Sequence, residues 1–125
     1  MSELTWERVA SLRDLKVAGG VMPATFDRFK LALYFAEHKV YATADLCTHG
    51  GARLSEGYLE GYLIECPLHQ GLFDIRTGAV AGPPCKRAVR TFPVRTEGDD
   101  IIIGFPPASP PQATSAPTAG QSGGG

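Results

Sequence analysis

The sequence has no excess of either charge: twelve Lys and Arg against thirteen Asp and Glu give a formal net charge of -1. Its basic residues are scattered, which excludes the basic face that nucleic-acid binders present. No apolar run approaches the roughly 18 residues that a membrane-crossing helix needs. The start, Met1-Ser2-Glu3-Leu4, is acidic, with neither an apolar signal core nor a twin-arginine pair after it, so the chain reads as cytoplasmic. Cysteine is scarce and odd in number, three in 125 residues. In a reducing compartment that argues against a disulfide scaffold and leaves the thiols for metal or redox chemistry. There is no Gly-x-Gly-x-x-Gly fingerprint for a nucleotide and no internal repeat.

What is present suffices for one domain. Residues 1–105 carry the apolar groups, and residues 106–125 change composition. From Pro106-Pro107-Ala108-Ser109-Pro110-Pro111 to Gly123-Gly124-Gly125 the chain has no charge and almost no large apolar group, so it is expected to be a disordered tail. Within 1–105 the pattern is of short strands. Trp6–Val9 is the first, and Lys30–Phe35 and Val40–Thr43 flank a turn at 36–39. Tyr58-Leu59 and Tyr62–Glu65 flank Glu60-Gly61, and Phe73–Ile75 precedes the turn Arg76-Thr77-Gly78. Thr91–Thr96 and Ile101–Ile103 bracket Glu97-Gly98-Asp99-Asp100. Only Ser11–Leu15 looks helical, for one turn. The expected fold is all-β, a small antiparallel sandwich or barrel.

Two clusters carry chemistry: Cys47-Thr48-His49 and Cys66-Pro67-Leu68-His69, with sixteen residues between His49 and Cys66. Each offers one thiolate and one imidazole. Four such ligands suit structural zinc, or a two-iron, two-sulfide cluster with histidine on one iron. Zinc fingers pair Cys with Cys and His with His, whereas here each knuckle is mixed, which favours the iron–sulfur reading. Gly50, Gly51 and Gly71 in these loops let backbone pass close to a bulky group.

On the segments Cys47-Thr48-His49-Gly50 and Cys66-Pro67-Leu68-His69-Gln70-Gly71 the chain resembles the Rieske-type ferredoxins, and most of all the electron-transfer components of bacterial aromatic-ring dioxygenase systems. Leu54-Ser55-Glu56-Gly57, Phe73-Asp74, Thr77-Gly78 and Gly82-Pro83-Pro84 extend the likeness, which runs from about Trp6 to Gly104. The resemblance implies a Rieske-like fold with two cluster-binding loops and one [2Fe–2S] cluster per chain. Cys47 and Cys66 would hold the inner iron, His49 and His69 the outer iron near the surface. The loop at Gly82-Pro83-Pro84 would cover the cluster from a third side. Two thiolates instead of four leave the oxidised cluster near neutral, which raises its potential relative to plant-type ferredoxins.

The function so implied is one-electron transfer from an NADH-dependent flavin reductase to a ring-hydroxylating terminal oxygenase, with no catalysis by this chain and no nucleic-acid or membrane partner. An oxygenase catalytic subunit would need a further mononuclear iron on two histidines and a carboxylate, and only His38 remains once the ligands are assigned. Membrane-linked Rieske subunits resemble this chain but bridge their loops with a cysteine pair, where this sequence has Ala52 and Leu68. Outside the four ligands the plainer readings prevail. Cys85 is expected to be a partly buried thiol, His38 a solvated turn residue, and Trp6 and the tyrosines sheet packing. Arg53, Lys86 and Arg87 either steer an acidic partner or are ordinary solvated charges.

Overall fold

A computed structural model describes residues 4–47, 51–68, 71–82 and 87–106. The tail expected over 106–125 lies outside them from residue 107 on, as do His49, His69, Pro83, Pro84, Cys85 and Lys86.

The chain opens with β1 (Thr5–Ser11), and Ser11 then caps α1 (Leu12–Val17) by accepting the Asp14 amide on its side chain. Next come β2 (Val21–Phe26), β3 (Phe29–Ala36) and β4 (Lys39–Ala44), then a single 3₁₀ turn at Leu54–Glu56. The short strands β5 (Tyr58–Glu60), β6 (Leu63–Glu65), β7 (Leu72–Asp74) and β8 (Val80–Gly82) follow. The described chain closes with β9 (Thr91–Phe92), β10 (Val94–Glu97) and β11 (Asp100–Phe105). They form three antiparallel sheets, ordered β1-β11-β10, β2-β3-β4-β9 and β5-β6-β7-β8. The all-β expectation holds in its sandwich form, and none of these sheets closes into a barrel.

β3 explains the stacking. Leu31 and Leu33 face one core with Leu15, Phe92, Ile101, Ile103 and Phe105. Ala32, Tyr34 and Ala36 face a second core with Leu54, Ile64, Phe73, Ile75, Cys47 and Cys66. A strand buried on both faces reads as a continuous apolar run, not an alternating one, and Leu31-Ala32-Leu33-Tyr34-Phe35-Ala36 is such a run. The central sheet therefore separates a frame core from a core that contains both cysteines. In the latter, Thr43 donates its proton to the Ala44 carbonyl at 2.8 Å, so the buried Tyr34 hydroxyl is the donor in its 2.9 Å bond to Thr43 Oγ1.

Several strands differ from the sequence expectation, each for a local reason. Thr91–Thr96 is not one strand: Pro93 lacks an amide and splits it, so β9 pairs with β4 while β10 pairs with β11. The hairpin expected around Glu60-Gly61 is shifted by one, because Glu60 pairs with Leu63 across a turn of Gly61 and Tyr62. β7 likewise runs from Leu72 to Asp74, one residue before Phe73–Ile75. The helix extends beyond Leu15 to Val17. Sequence reasoning missed β2, whose Pro23 reads as a breaker, but β2 is an edge strand, where an absent amide is tolerated. It also missed β8, three residues long.

Candidate metal centre

The site is built on two loops tied at their bases in the same way. β4 ends where the Ala44 amide donates to the Arg90 carbonyl at 2.8 Å. Beyond it Leu46 bridges Arg53, and the Cys47 amide donates to the Ala52 carbonyl at 2.7 Å. Between β6 and β7, the Cys66 amide donates to the Gly71 carbonyl, also at 2.7 Å. In each loop a cysteine forms the base and the bond spans from that cysteine to the fifth residue after it. His49 and His69 belong to the intervening segments, 48–50 and 69–70, outside the described residues.

The first loop is fastened a second time. Asp45 is only 3% exposed. Its carbonyl accepts the Leu54 amide at 2.7 Å, and its Oδ1 accepts the Ser55 amide at 2.8 Å. The carboxylate thus caps the 3₁₀ turn, which has no side-chain cap of its own. Gly57, just past that turn, lies against the Glu65 carbonyl so closely that a Cβ there would overlap it. Only glycine allows this approach, which brings the end of the first loop's anchor to the last residue of β6, next to Cys66.

Cys47 and Cys66 are 4% and 1% exposed, share one core and are not joined as a disulfide. Burial pushes the Cys66 thiol above its ordinary pKa; the Leu68 amide, donating to it, opposes this, and the neighbouring Cys47 adds to the rise. Two buried thiols side by side and not crosslinked are soft donors that one metal cation can share, and these two donors fit the sulfur ligation of iron. Among the described residues no group of three or more His, Cys, Asp or Glu side chains gathers.

The remaining candidates fall as follows. His38 is exposed in the β3–β4 turn, as expected of a solvated residue, and its φ of 69° matches a tight hairpin. Trp6 packs under Arg95 at 4.1 Å, and Tyr41 meets Tyr62 edge-on at 6.0 Å. Tyr58 departs from the packing expectation: it is 75% exposed. Arg53 and Arg87 are exposed. Ala52 packs against the cysteine core, and Leu68 is exposed. Asp45 was missed in the sequence, and Gly57 was read there only as part of the resemblance, since each acts through a residue distant along the chain.

Residues 5–93 match the family model described as the Rieske [2Fe-2S] domain. The ferredoxin component of the naphthalene 1,2-dioxygenase system of Pseudomonas putida is 46% identical over 98 residues, 78% of this chain and 93% of that one. The ferredoxin of carbazole 1,9a-dioxygenase from Nocardioides aromaticivorans superposes with a TM-score of 0.75 at 37% identity, covering 81% of this chain and 98% of that one. A structure described as a complex of reduced oxygenase and oxidised ferredoxin in carbazole 1,9a-dioxygenase gives 0.74 at 34% identity, covering 83% and 97%. No helix among the described residues is long and apolar enough to cross a membrane.

Proposed function

The chain belongs to the family of Rieske [2Fe-2S] domains, and from that premise we propose that it is a one-electron carrier, the ferredoxin component of an aromatic-ring dioxygenase system. One [2Fe–2S] cluster would be held by Cys47, His49, Cys66 and His69. When bound, the cluster supplies a centre that takes up one electron and gives it back. The protein's part is to fix the donors. Matching amide–carbonyl bonds hold both cysteines at the bases of their loops, and the Leu68 amide is placed to stabilise negative charge on the Cys66 sulfur. The observation that carries the reading is this pairing of two buried, adjacent thiols, each at the root of a loop that contains one histidine.

The electron donor in this reading is an NADH-dependent flavin reductase and the acceptor a terminal oxygenase, in the cytoplasm. The complex of oxygenase and ferredoxin named for the carbazole system supports the acceptor. Relatives named as ferredoxin components support a carrying and not a catalytic role. Residues 1–105 form the Rieske domain in this reading and 106–125 a tail without a part in the cluster.

The test is spectroscopic. Protein purified without oxidising treatment should absorb visible light and, once reduced, give an electron paramagnetic resonance signal of the Rieske type. Cys47→Ser, His49→Ala, Cys66→Ser and His69→Ala should each lose that signal, while Cys85→Ser should keep it. A colourless protein with stoichiometric zinc refutes the reading, and any of the four variants with an unchanged spectrum refutes that ligand.

A further inference from the structure

The sheet that carries the second cysteine has two unlike faces. Leu59, Ile64 and Phe73 point into the cysteine core. On the opposite face, cross-strand partners share a side: Tyr58 pairs with Glu65 and Glu65 with Leu72, while Glu60 pairs with Leu63. These five side chains line one groove of about 220 Å³. Leu63 and Leu72 are half-buried at its floor, and Tyr58 stands at its edge.

Residues 54–82 contain four carboxylates and a single arginine in a chain whose net charge is only -1, and two of the four, Glu60 and Glu65, line this groove. That arginine, Arg76, is tied to Asp74 at 2.8 Å, and no ion pair among the described residues engages Glu60 or Glu65. The face also adjoins the metal centre: Glu65 immediately precedes Cys66, and Leu72 follows Gly71, whose carbonyl closes the second loop.

We infer that this outer face, Tyr58, Glu60, Leu63, Glu65 and Leu72, docks an electron-exchange protein whose contact surface sets lysines and arginines around an apolar centre. The inference rests on the carrier reading. Carboxylates with no ion pair among the described residues repel nucleic acid and anionic lipid, so the complementary surface is cationic protein. An exposed tyrosine over a leucine floor supplies the kind of anchor that protein interfaces favour. A partner seated here lies beside the strand end from which Cys66 projects, so docking and electron access coincide.

Cytochrome c, a basic one-electron acceptor, serves as the probe, with the reduced holoprotein as donor and stopped-flow absorbance as readout. The double variant Glu60→Gln/Glu65→Gln should slow the bimolecular rate about tenfold at low ionic strength, with the difference vanishing at high salt. Tyr58→Ser should slow it at every ionic strength. Glu7→Gln/Glu97→Gln, on the far sheet, should leave it near the wild-type rate. Visible spectra of all variants should match wild type, and rates are compared at equal driving force, using each variant's measured reduction potential. Rates unchanged by the groove variants, or slowed equally by the far-sheet control, overturn the docking face while leaving the carrier reading intact. A dimer in solution that Tyr58→Ser dissolves overturns it in favour of a second copy of this chain. Wild-type protein that lacks the Rieske signal overturns the carrier reading and the docking face with it.

Discussion

Replacing Asp45 tests whether the first loop is held by the carboxylate that caps the 3₁₀ turn. Asp45→Ala leaves both backbone bonds of residue 45 in place, its amide to the Lys30 carbonyl at 2.9 Å and its carbonyl to the Leu54 amide at 2.7 Å. Among the described residues, the side-chain bond it removes is that from the Ser55 amide to Oδ1, at 2.8 Å in a partly buried position. A buried donor left without an acceptor costs about 1–3 kcal/mol. Taking about 2 kcal/mol, and an interaction absent from the unfolding transition state, unfolding accelerates by up to about thirtyfold. Asp45→Asn keeps a carbonyl oxygen in the same place and forfeits only the charge assistance, roughly 1 kcal/mol or less. The assay is the rate at which the holoprotein bleaches in a fixed concentration of urea. Asp99→Ala is the control: its Oδ1 also accepts a backbone amide, that of Arg13 at 2.9 Å, but in an exposed position far from the loops along the chain. The expected order is Asp45→Ala fastest, then Asp45→Asn, with Asp99→Ala near wild type. Bleaching of Asp45→Ala at the wild-type rate, or of Asp45→Asn faster than Asp45→Ala, refutes the clamp.

Removing Pro106–Gly125 is expected to leave the melting temperature and the reduction potential of the holoprotein unchanged, since the segment has almost no large apolar group to dock; a clear drop in calorimetric melting temperature would show that it packs. The potential itself is expected at the low end of the Rieske range, about -150 mV, because Gly71 and Phe73, both buried beside the cysteines, have no hydroxyl to donate to sulfur. Phe73→Tyr should raise it by tens of millivolts, on the order of 1 kcal/mol for one added hydrogen bond, and a wild-type potential well above zero by voltammetry refutes the subfamily. Arg76, by its side-chain hydrogen bonds, holds the Asp74 carboxyl below the usual carboxylate range. A depressed folded pKa means that this pair stabilises the protein above the ordinary aspartate pKa of about 3.9 and that its contribution is lost as pH falls through the folded value. Asp74→Asn should therefore reduce the loss of stability in that acid window and change nothing in its slope near neutrality, as urea unfolding across pH would show.

The sequence was legible where structure is local or chemical. The mixed Cys/His knuckles named their chemistry because few other arrangements place one thiol and one imidazole in each of two short loops. Hairpins were legible too, as at 36–39, where Glu37 and His38 both take positive φ between paired Ala36 and Lys39. What stayed hidden depends on through-space contacts. Asp45 looks like any acidic residue at a strand end until Ser55 is seen donating to it. Gly57 looks like a turn glycine until the Glu65 carbonyl is seen beside it. Pro23 and Pro93 are the same residue with opposite meanings: one is accommodated at a sheet edge, the other divides a run between two sheets.

Why each loop carries one sulfur and one imidazole, and not two of a kind, follows from where it is tied. A thiol at a closed base is drawn against Phe73, Ile64 and Leu54, and such a site suits a short, uncharged side chain that becomes a thiolate only in the presence of metal. Chain connectivity gives a residue two or three positions onward the greatest reach from that base, and an imidazole there can serve as a neutral ligand with its second nitrogen available to water or to a partner. Under the ligand assignment proposed here, distance from the tie would set burial, and one cysteine-to-histidine spacing per loop would give the cluster one pair of protected ligands and one pair of accessible ones. Two cysteines at the Ala52 and Leu68 positions would brace such loops covalently. In this chain the Asp45 cap and the Gly57–Glu65 contact brace the loops instead, and Leu46 and Leu68, one in each loop segment, stand exposed.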